Sequence, residues 1–278
     1  MNAVAARRVW SVVTHVLLLL GVAVSIFPFY WMFVMASRTT QDIFKFPPEL
    51  LPGTHLLENF GKVFDSVDLL GSTANTIFVA VVTTVLVLFF DSIAAFAFAK
   101  FEFPAKNLLF VVLLVTFMIP SQLSTVPSFV IMANFGWVGS FQALIVPGAV
   151  NAFGIFLLRQ YAQGAVSAEL LDAARIDGCN FWRQYWHVAV PLLRPALAFL
   201  GIFTFINAWN DYFWPLVVLI DPGRQTLQVA LSQLNGLYNT DYSMVMAGTL
   251  LAVIPLIIVF FLGARQFLAD LAAGAVKQ

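Results

Sequence analysis

The chain has 278 residues, 61% of them hydrophobic and 10% charged, with a formal net charge of zero. A soluble domain carries about 25% charged and about 45–50% apolar residues, so the excess has to face lipid, and with a net charge of zero nothing suggests nucleic acid as a partner. The single cysteine, Cys179, excludes an intrachain disulfide.

A bilayer core about 30 Å thick takes about 20 apolar residues per helix. Six stretches qualify in chain order: Trp10 to Ala36, Ser72 to Ala99, Leu108 to Ala133, Phe141 to Leu158, Leu192 to Trp214 and Val245 to Leu262. Arg7 and Arg8 ahead of the first run suggest a signal peptide, but the run is too long for a signal core and ends without a small-residue cleavage pattern. It reads as a retained transmembrane helix. None of the six alternates as a barrel strand would, so each closes its backbone hydrogen bonds as a helix. The predicted fold is therefore all-α, a polytopic membrane bundle of six helices in one domain spanning 1–278. Pro120 and Pro127 in the third span and Pro147 in the fourth predict kinks. The polar patch around Gln122 is costly in lipid and is better placed facing the bundle interior or water.

Lysine and arginine set the orientation, because cytoplasmic loops hold the excess. With the N-terminus inside, ten of the fourteen fall on the inner side, and only Arg38, Lys45, Lys62 and Arg224 fall outside. Both termini are then cytoplasmic. His15, His55 and His187 are scattered, with no HExxH motif or Cys/His cluster, so no metal site is expected.

A charged island separates the fourth and fifth spans: Asp172-Ala173-Ala174-Arg175-Ile176-Asp177-Gly178, with Pro191 thirteen residues after the glycine. Ser167 is placed to cap a short helix, with Glu169 favourable in its first turn. Gly178 stands where such a helix ends in a left-handed residue. Leu170, Leu171 and Ala174 fall on one face, and Asp172 and Arg175 on another. Asp177 sits against the helix dipole, which hints at a duty other than local stability. An ordinary amphipathic connector on the membrane surface is the alternative reading.

The island resembles the cytoplasmic "EAA" loop of ABC importer permeases. Asp172, Ala173, Ala174, Gly178, Val188, Val190 and Pro191 match that pattern, aspartate standing one methylene short of the usual glutamate. Arg-Ile-Asp-Gly resembles the carbohydrate-uptake, maltose-permease-like branch. So do AAFAFAKFEFP at 94–104, NAFGIFLLRQY at 151–161, Trp209-Asn210-Asp211 before Trp214-Pro215, and the ending RQFLADLAAGAVKQ. The resemblance runs from about residue 70 to the C-terminus. It implies a type I importer fold with a core at about 70–270 and a coupling loop at about 164–191. It implies a homologous second permease subunit, two copies of an ABC ATPase that bind ATP and magnesium, an extracytoplasmic substrate-binding protein, and a prokaryotic plasma membrane. Glu169, Leu170, Asp172, Ala173, Ala174, Arg175, Asp177, Gly178 and Pro191 would then meet the ATPase. This chain has no cofactor of its own and no GxxxxGK[ST] phosphate loop, so it is not expected to hydrolyse ATP itself.

Sugars are held by hydrogen bonds and aromatic faces. Trp209, Tyr212 and Trp214 either form an interfacial aromatic belt or face the pathway, and Asn210 and Asp211, costly against lipid, either face the pathway or cap a kinked helix there. Asn151 and Gln122 are further candidates. Asp91 lies inside the second span, where a carboxylate marks a functional or a packing role, and serine is more usual there in the family. The competing function is an ion-gradient-driven secondary transporter, which needs paired ionisable groups or repeated broken helices. A membrane enzyme is remote, because no nucleophile, base and orienter converge.

Overall fold

The computed structural model describes residues 3–236 and 240–275, and among these every regular element is helical. In chain order the helices are α1 (Ala3–Ala36), α2 (Thr40–Ile43), α3 (Leu56–Ser66), α4 (Leu69–Lys100), α5 (Lys106–Met118), α6 (Thr125–Asn134), α7 (Gln142–Gly148), α8 (Ala152–Ala165), α9 (Ala168–Ile176), α10 (Phe181–Gln184), α11 (Val190–Asn210), α12 (Phe213–Val218), α13 (Leu227–Ser232) and α14 (Tyr242–Ala275). Among the described residues five helical stretches are long and apolar enough to span a membrane, within α1, α4, α7 with α8, α10 with α11, and α14, or six if α5 and α6 count as one broken span.

The first, second and sixth spans fall where the sequence puts them, within helices that begin before the expected starts. The other three differ. The third is not one kinked helix: its halves meet at 90°. The bend falls at Pro120, which leads into a 3₁₀ turn over Ser121–Ser124. Pro127 causes no bend, because it lies in the first turn of α6, where no amide donor is needed. The fourth span is interrupted after Pro147 by Ala149 and Val150, and restarts when Asn151 caps α8, accepting the Gly154 amide at 2.7 Å. The fifth begins eleven residues earlier than expected. Asn180 accepts the Arg183 amide at 3.0 Å and starts α10, and a π turn over Tyr185–Ala189 carries the helix into α11. Pro191 donates no amide, and the wider turn before it re-pairs the backbone by one residue. That span ends at Asn210, where Asp211 turns extended ahead of α12.

The chain groups into two packed units, Met1–Leu69 with Leu231–Ile254, and Leu70–Ala230 with Pro255–Gln278. In the first, buried Asn59 donates to the carbonyls of Ala36 and Arg38, both at 2.8 Å, which closes the open C-terminal end of α1. Thr39 and Asp42 form a reciprocal cap on α2. Asp241 gathers the Thr40 hydroxyl at 2.6 Å, the Ser243 hydroxyl at 2.7 Å and the Met244 amide at 3.2 Å, with Lys62 Nζ at 3.7 Å. Burial raises the Asp241 pKa, but the hydrogen bonds from Thr40 and Ser243 outweigh it and hold the carboxyl below its ordinary value. A depressed carboxylate stabilises the fold above its unfolded pKa, about 3.9 for aspartate, and that contribution is lost as pH falls through the lower folded value. Wild-type protein in detergent should therefore lose melting temperature below about pH 4, and Asp241→Asn should lose less across the same window. Identical pH profiles would show that this cluster carries no stability.

Among the described residues of the second unit, apolar side chains pack into clusters that join its helices. Val87, Ala95, Leu158, Ala196 and Leu200 join α4, α8 and α11. Val79, Met132, Ala143 to Ile145 and Val218 join α4, α6, α7 and α12. Phe96, Leu171, Tyr185 and Leu193 join α4 to the polar connector carrying α9. The first of these contains a close approach. A Cβ on Gly154 would collide with the Asp91 carboxylate and lie 3.1 Å from Leu200 Cδ2, so glycine is what lets α8 pass this near α4 and α11.

Candidate functional site

Two features of the second unit carry chemistry: the connector helix α9 and a pair of cavities.

The Ser167 hydroxyl accepts the Leu170 amide at 3.3 Å and starts α9. The Glu169 carboxyl is held below its usual range by its own backbone amide and by the Ser167 hydroxyl. At the other end the Gly178 amide donates to the Arg175 carbonyl at 3.0 Å, and the Cys179 amide to the Ala174 carbonyl at 2.9 Å. This double closure requires a left-handed residue, and Gly178 supplies it at φ +78°. Asp177 is the capping residue rather than part of the last turn. Beneath, buried Gln184 donates to the Cys179 carbonyl at 2.9 Å and ties the exit turn to α10. Neither Gln184 nor Asn180 stood out in the sequence, although Asn180 before an aromatic run is a readable cap.

The two faces of α9 have separate tasks. Leu171 and Ala174 are buried, and Leu171 packs with Phe96, Tyr185 and Leu193. Phe96 lies 5.6 Å from the Phe181 ring and 6.1 Å from that of Tyr185, whose hydroxyl meets Ser92 Oγ at 2.7 Å. Leu170, expected beside Leu171 and Ala174, instead points outward at 48% exposure. Ile176 stands out at 88% exposure. Glu169, Asp172, Ala173, Arg175, Asp177 and Gly178 share this exposed surface, with Asp172 and Arg175 paired at 2.9 Å. The result is a short rigid helix, anchored on one face to α4 and α11 and presenting charge and two large aliphatic side chains on the other. Pro191 is exposed but lies within the continuous α10–α11 run.

The larger cavity has a volume of about 540 Å³. Its polar wall consists of Thr83, Asn151, Thr204, Asn207, Asp211 and Thr226. Phe117, Phe153 and Phe203 form an aromatic wall, with ring centroids 6.0 Å and 4.9 Å apart along the row. A neighbouring cavity of about 460 Å³ is lined by Gln122, Ser124, Thr125 and Ser128 and shares Asp211, Leu144 and Gly148 with the first. The helix breaks build both spaces. Asn151 is presented at the interruption between α7 and α8, Gln122 at the bend between α5 and α6, and Asp211 at the interruption between α11 and α12, where the Trp214 and Phe213 amides reach its carboxylate.

Of the pathway residues expected from sequence, Asp211, Asn151 and Gln122 line these cavities, and four do not. Asn210 turns its amide back to the Ile206 carbonyl at 2.9 Å. Trp209 is fully buried in packing, and Tyr212 is 41% exposed outside the cavity walls. Asp91 is 0% exposed. One of its carboxylate oxygens accepts the Asn151 amide at 3.2 Å and the other has no hydrogen-bond partner. It braces the restart of α8 and does not open onto either cavity. Asn207, Thr204 and the three phenylalanines were missed, because nothing in a uniformly apolar span marks which side chains converge.

Apolar helices long enough to cross a membrane, with breaks that open onto polar cavities, are the build of a membrane transport protein. Residues 92–269 match the family described as binding-protein-dependent transport system inner membrane component. Over 98% of both chains the sequence is 34% identical to the lactose transport system permease protein LacG of Rhizobium radiobacter. It is 33% identical to the sn-glycerol-3-phosphate transport system permease protein UgpE of Escherichia coli O1:K1, over 95% of this chain and 97% of that one. A chain from the crystal structure of a bacterial ABC transporter that imports the acidic polysaccharide alginate superposes with a TM-score of 0.81 at 28% identity, covering 94% of this chain and 98% of that one. The chain belongs to the family of binding-protein-dependent transport system inner membrane components, and its fold is that of an ABC importer permease.

Proposed function

We propose that this chain is the permease subunit of an ATP-driven, binding-protein-dependent importer for a sugar or sugar derivative, and that α9 is its coupling helix. The observation that carries the proposal is the two-faced build of α9, set in a chain alike along nearly its whole length to sugar-system permeases. Its relatives lend no support to a gradient-driven transporter. The whole chain acts as one permease domain with both termini in the cytoplasm. A homologous second permease completes the pore, two ATPase copies bind ATP and magnesium, and an extracytoplasmic binding protein delivers the solute. Glu169, Leu170, Asp172, Ala173, Arg175, Asp177 and Gly178 meet the ATPase, Leu171 and Ala174 hold the helix from behind, and Pro191 maintains the run that connects it to the membrane. Closure of the ATPases then moves α9 as a lever, shifting the bundle between two states with different contacts.

Purification of the tagged chain from its own membranes in mild detergent tests this directly. Wild type should bring a second permease and an ATPase. Gly178→Asp leaves open space for its side chain but places a non-glycine residue at φ +78°, at a cost of about 1 kcal/mol, so the exit turn is displaced. Recovery of the ATPase should fall several-fold while the second permease is retained. Equal ATPase recovery from both would remove the docking assignment.

A further inference from the structure

The electrostatics of the larger cavity separate classes of solute that the relatives do not. Lactose is neutral, whereas sn-glycerol-3-phosphate and alginate are anionic. Among the described residues, no lysine, arginine or histidine lines either cavity, and both are lined by Asp211. Cations of the same unit are engaged elsewhere. Arg159 lies over the Phe110 ring at 4.0 Å, Arg224 donates to the Gly139 carbonyl at 3.1 Å, and Lys100 to the Gln163 carbonyl at 3.1 Å. A phosphate or uronate beside the ionised Asp211 carboxylate meets like charge, with no countercharge among the residues that line the cavity.

A neutral sugar ring fits the same surface. Its hydroxyls donate to the Asp211 carboxylate and to the amide oxygen of Asn207, whose amide nitrogen is taken by the Phe203 carbonyl at 2.8 Å. Asn151 uses its side-chain oxygen on the Gly154 amide, which leaves its NH₂ group for an acceptor. Thr83 and Thr226 also line the cavity, but their hydroxyl oxygens are themselves buried, so the bonds to the ring come from Asp211, Asn207 and Asn151. The row of Phe117, Phe153 and Phe203 offers an apolar surface to the C–H face of a sugar ring. Taking the sugar-importer reading as given, we propose that this cavity is a transient binding site for a neutral saccharide during translocation, and that Asp211 makes it reject phosphorylated and uronic substrates.

The test uses the complete importer, purified with its partner subunits and binding protein and reconstituted into ATP-loaded liposomes. The vesicles are offered neutral mono-, di- and trisaccharides beside sn-glycerol-3-phosphate and an alginate oligosaccharide. Wild type should accumulate a neutral sugar and neither anion. Asn207→Ala, at an exposed position, and Asp211→Ala should each lower the maximal uptake rate about tenfold or more, with unchanged recovery of the partner subunits. Accumulation of an anionic substrate by wild type would overturn the proposal, as would wild-type rates in both assembled variants. A complex that hydrolyses ATP yet accumulates no member of the panel would overturn the sugar-importer reading itself, which is a separate failure.

Discussion

Ile176→Lys is expected to reduce ATP-driven uptake more than tenfold without lowering the amount of folded chain. The side chain is 88% exposed at the last position of α9, so its replacement removes no packing within the protein. A cation near a helix C-terminus interacts favourably with the dipole, so local stability should not suffer. If this face docks against an ATPase, the outcome there is the reverse. Fully burying an isoleucine contributes about 1.5–3 kcal/mol, and a lysine in its place must also lose part of its hydration. Since each 1.4 kcal/mol is tenfold in an equilibrium, docking falls by one to two decades from the lost apolar contact alone. Leu171→Lys is the informative contrast: Leu171 is 3% exposed against Phe96, Tyr185 and Leu193, so that variant should lose folded protein as well as uptake. Uptake by reconstituted complexes, with recovery of monodisperse chain as the folding measure, distinguishes the two. Undiminished uptake by Ile176→Lys would mean that the exposed face of α9 touches no partner.

Gly154→Ala should be the most damaging single methyl in the membrane core. Alanine favours a helix over glycine by about 1 kcal/mol, so the same change at Gly164, where a Cβ meets nothing within 4 Å, should be neutral or stabilising. At Gly154 the new carbon would overlap the Asp91 carboxylate and press on Leu200. Overpacking of this kind costs about 1–3 kcal/mol, enough to reverse the gain in propensity. The Gly154→Ala melting temperature in detergent should fall below wild type while Gly164→Ala does not. The clash is with a side chain, so shortening that side chain should relieve it. Asp91→Ser in the Gly154→Ala background should recover much of the loss, and the non-additivity of the pair measures the contact. A Gly154→Ala protein that melts like Gly164→Ala would show that α4 and α8 are not so closely packed.

The same residues show why some of this protein could be read from its chain and some could not. Lipid forces any span to be about 20 apolar residues in a helix, so the number and approximate place of the spans follow from composition along the chain. The ends of α9 were equally legible, because a serine cap and a glycine in the left-handed region act through backbone bonds only a few residues away. The breaks were legible only in part: Pro120 and Pro147 marked kinks, but not a turn of 90° or a full interruption. Without a proline an apolar run looks alike whether its helix continues or stops, as at Asp211, since lipid-facing and protein-facing positions are both apolar and no polar stripe marks a face. Asn207 and Asn210 differ by three positions in α11 and both donate to the carbonyl four residues back, yet only Asn207 lines the cavity. Phe117, Phe153 and Phe203 come from α5, α8 and α11 and form one wall only when those helices pack. Short-range backbone chemistry and solubility in lipid are properties of the sequence itself. Which side chains converge on a cavity depends on where several interrupted helices meet, and that is decided by long-range packing.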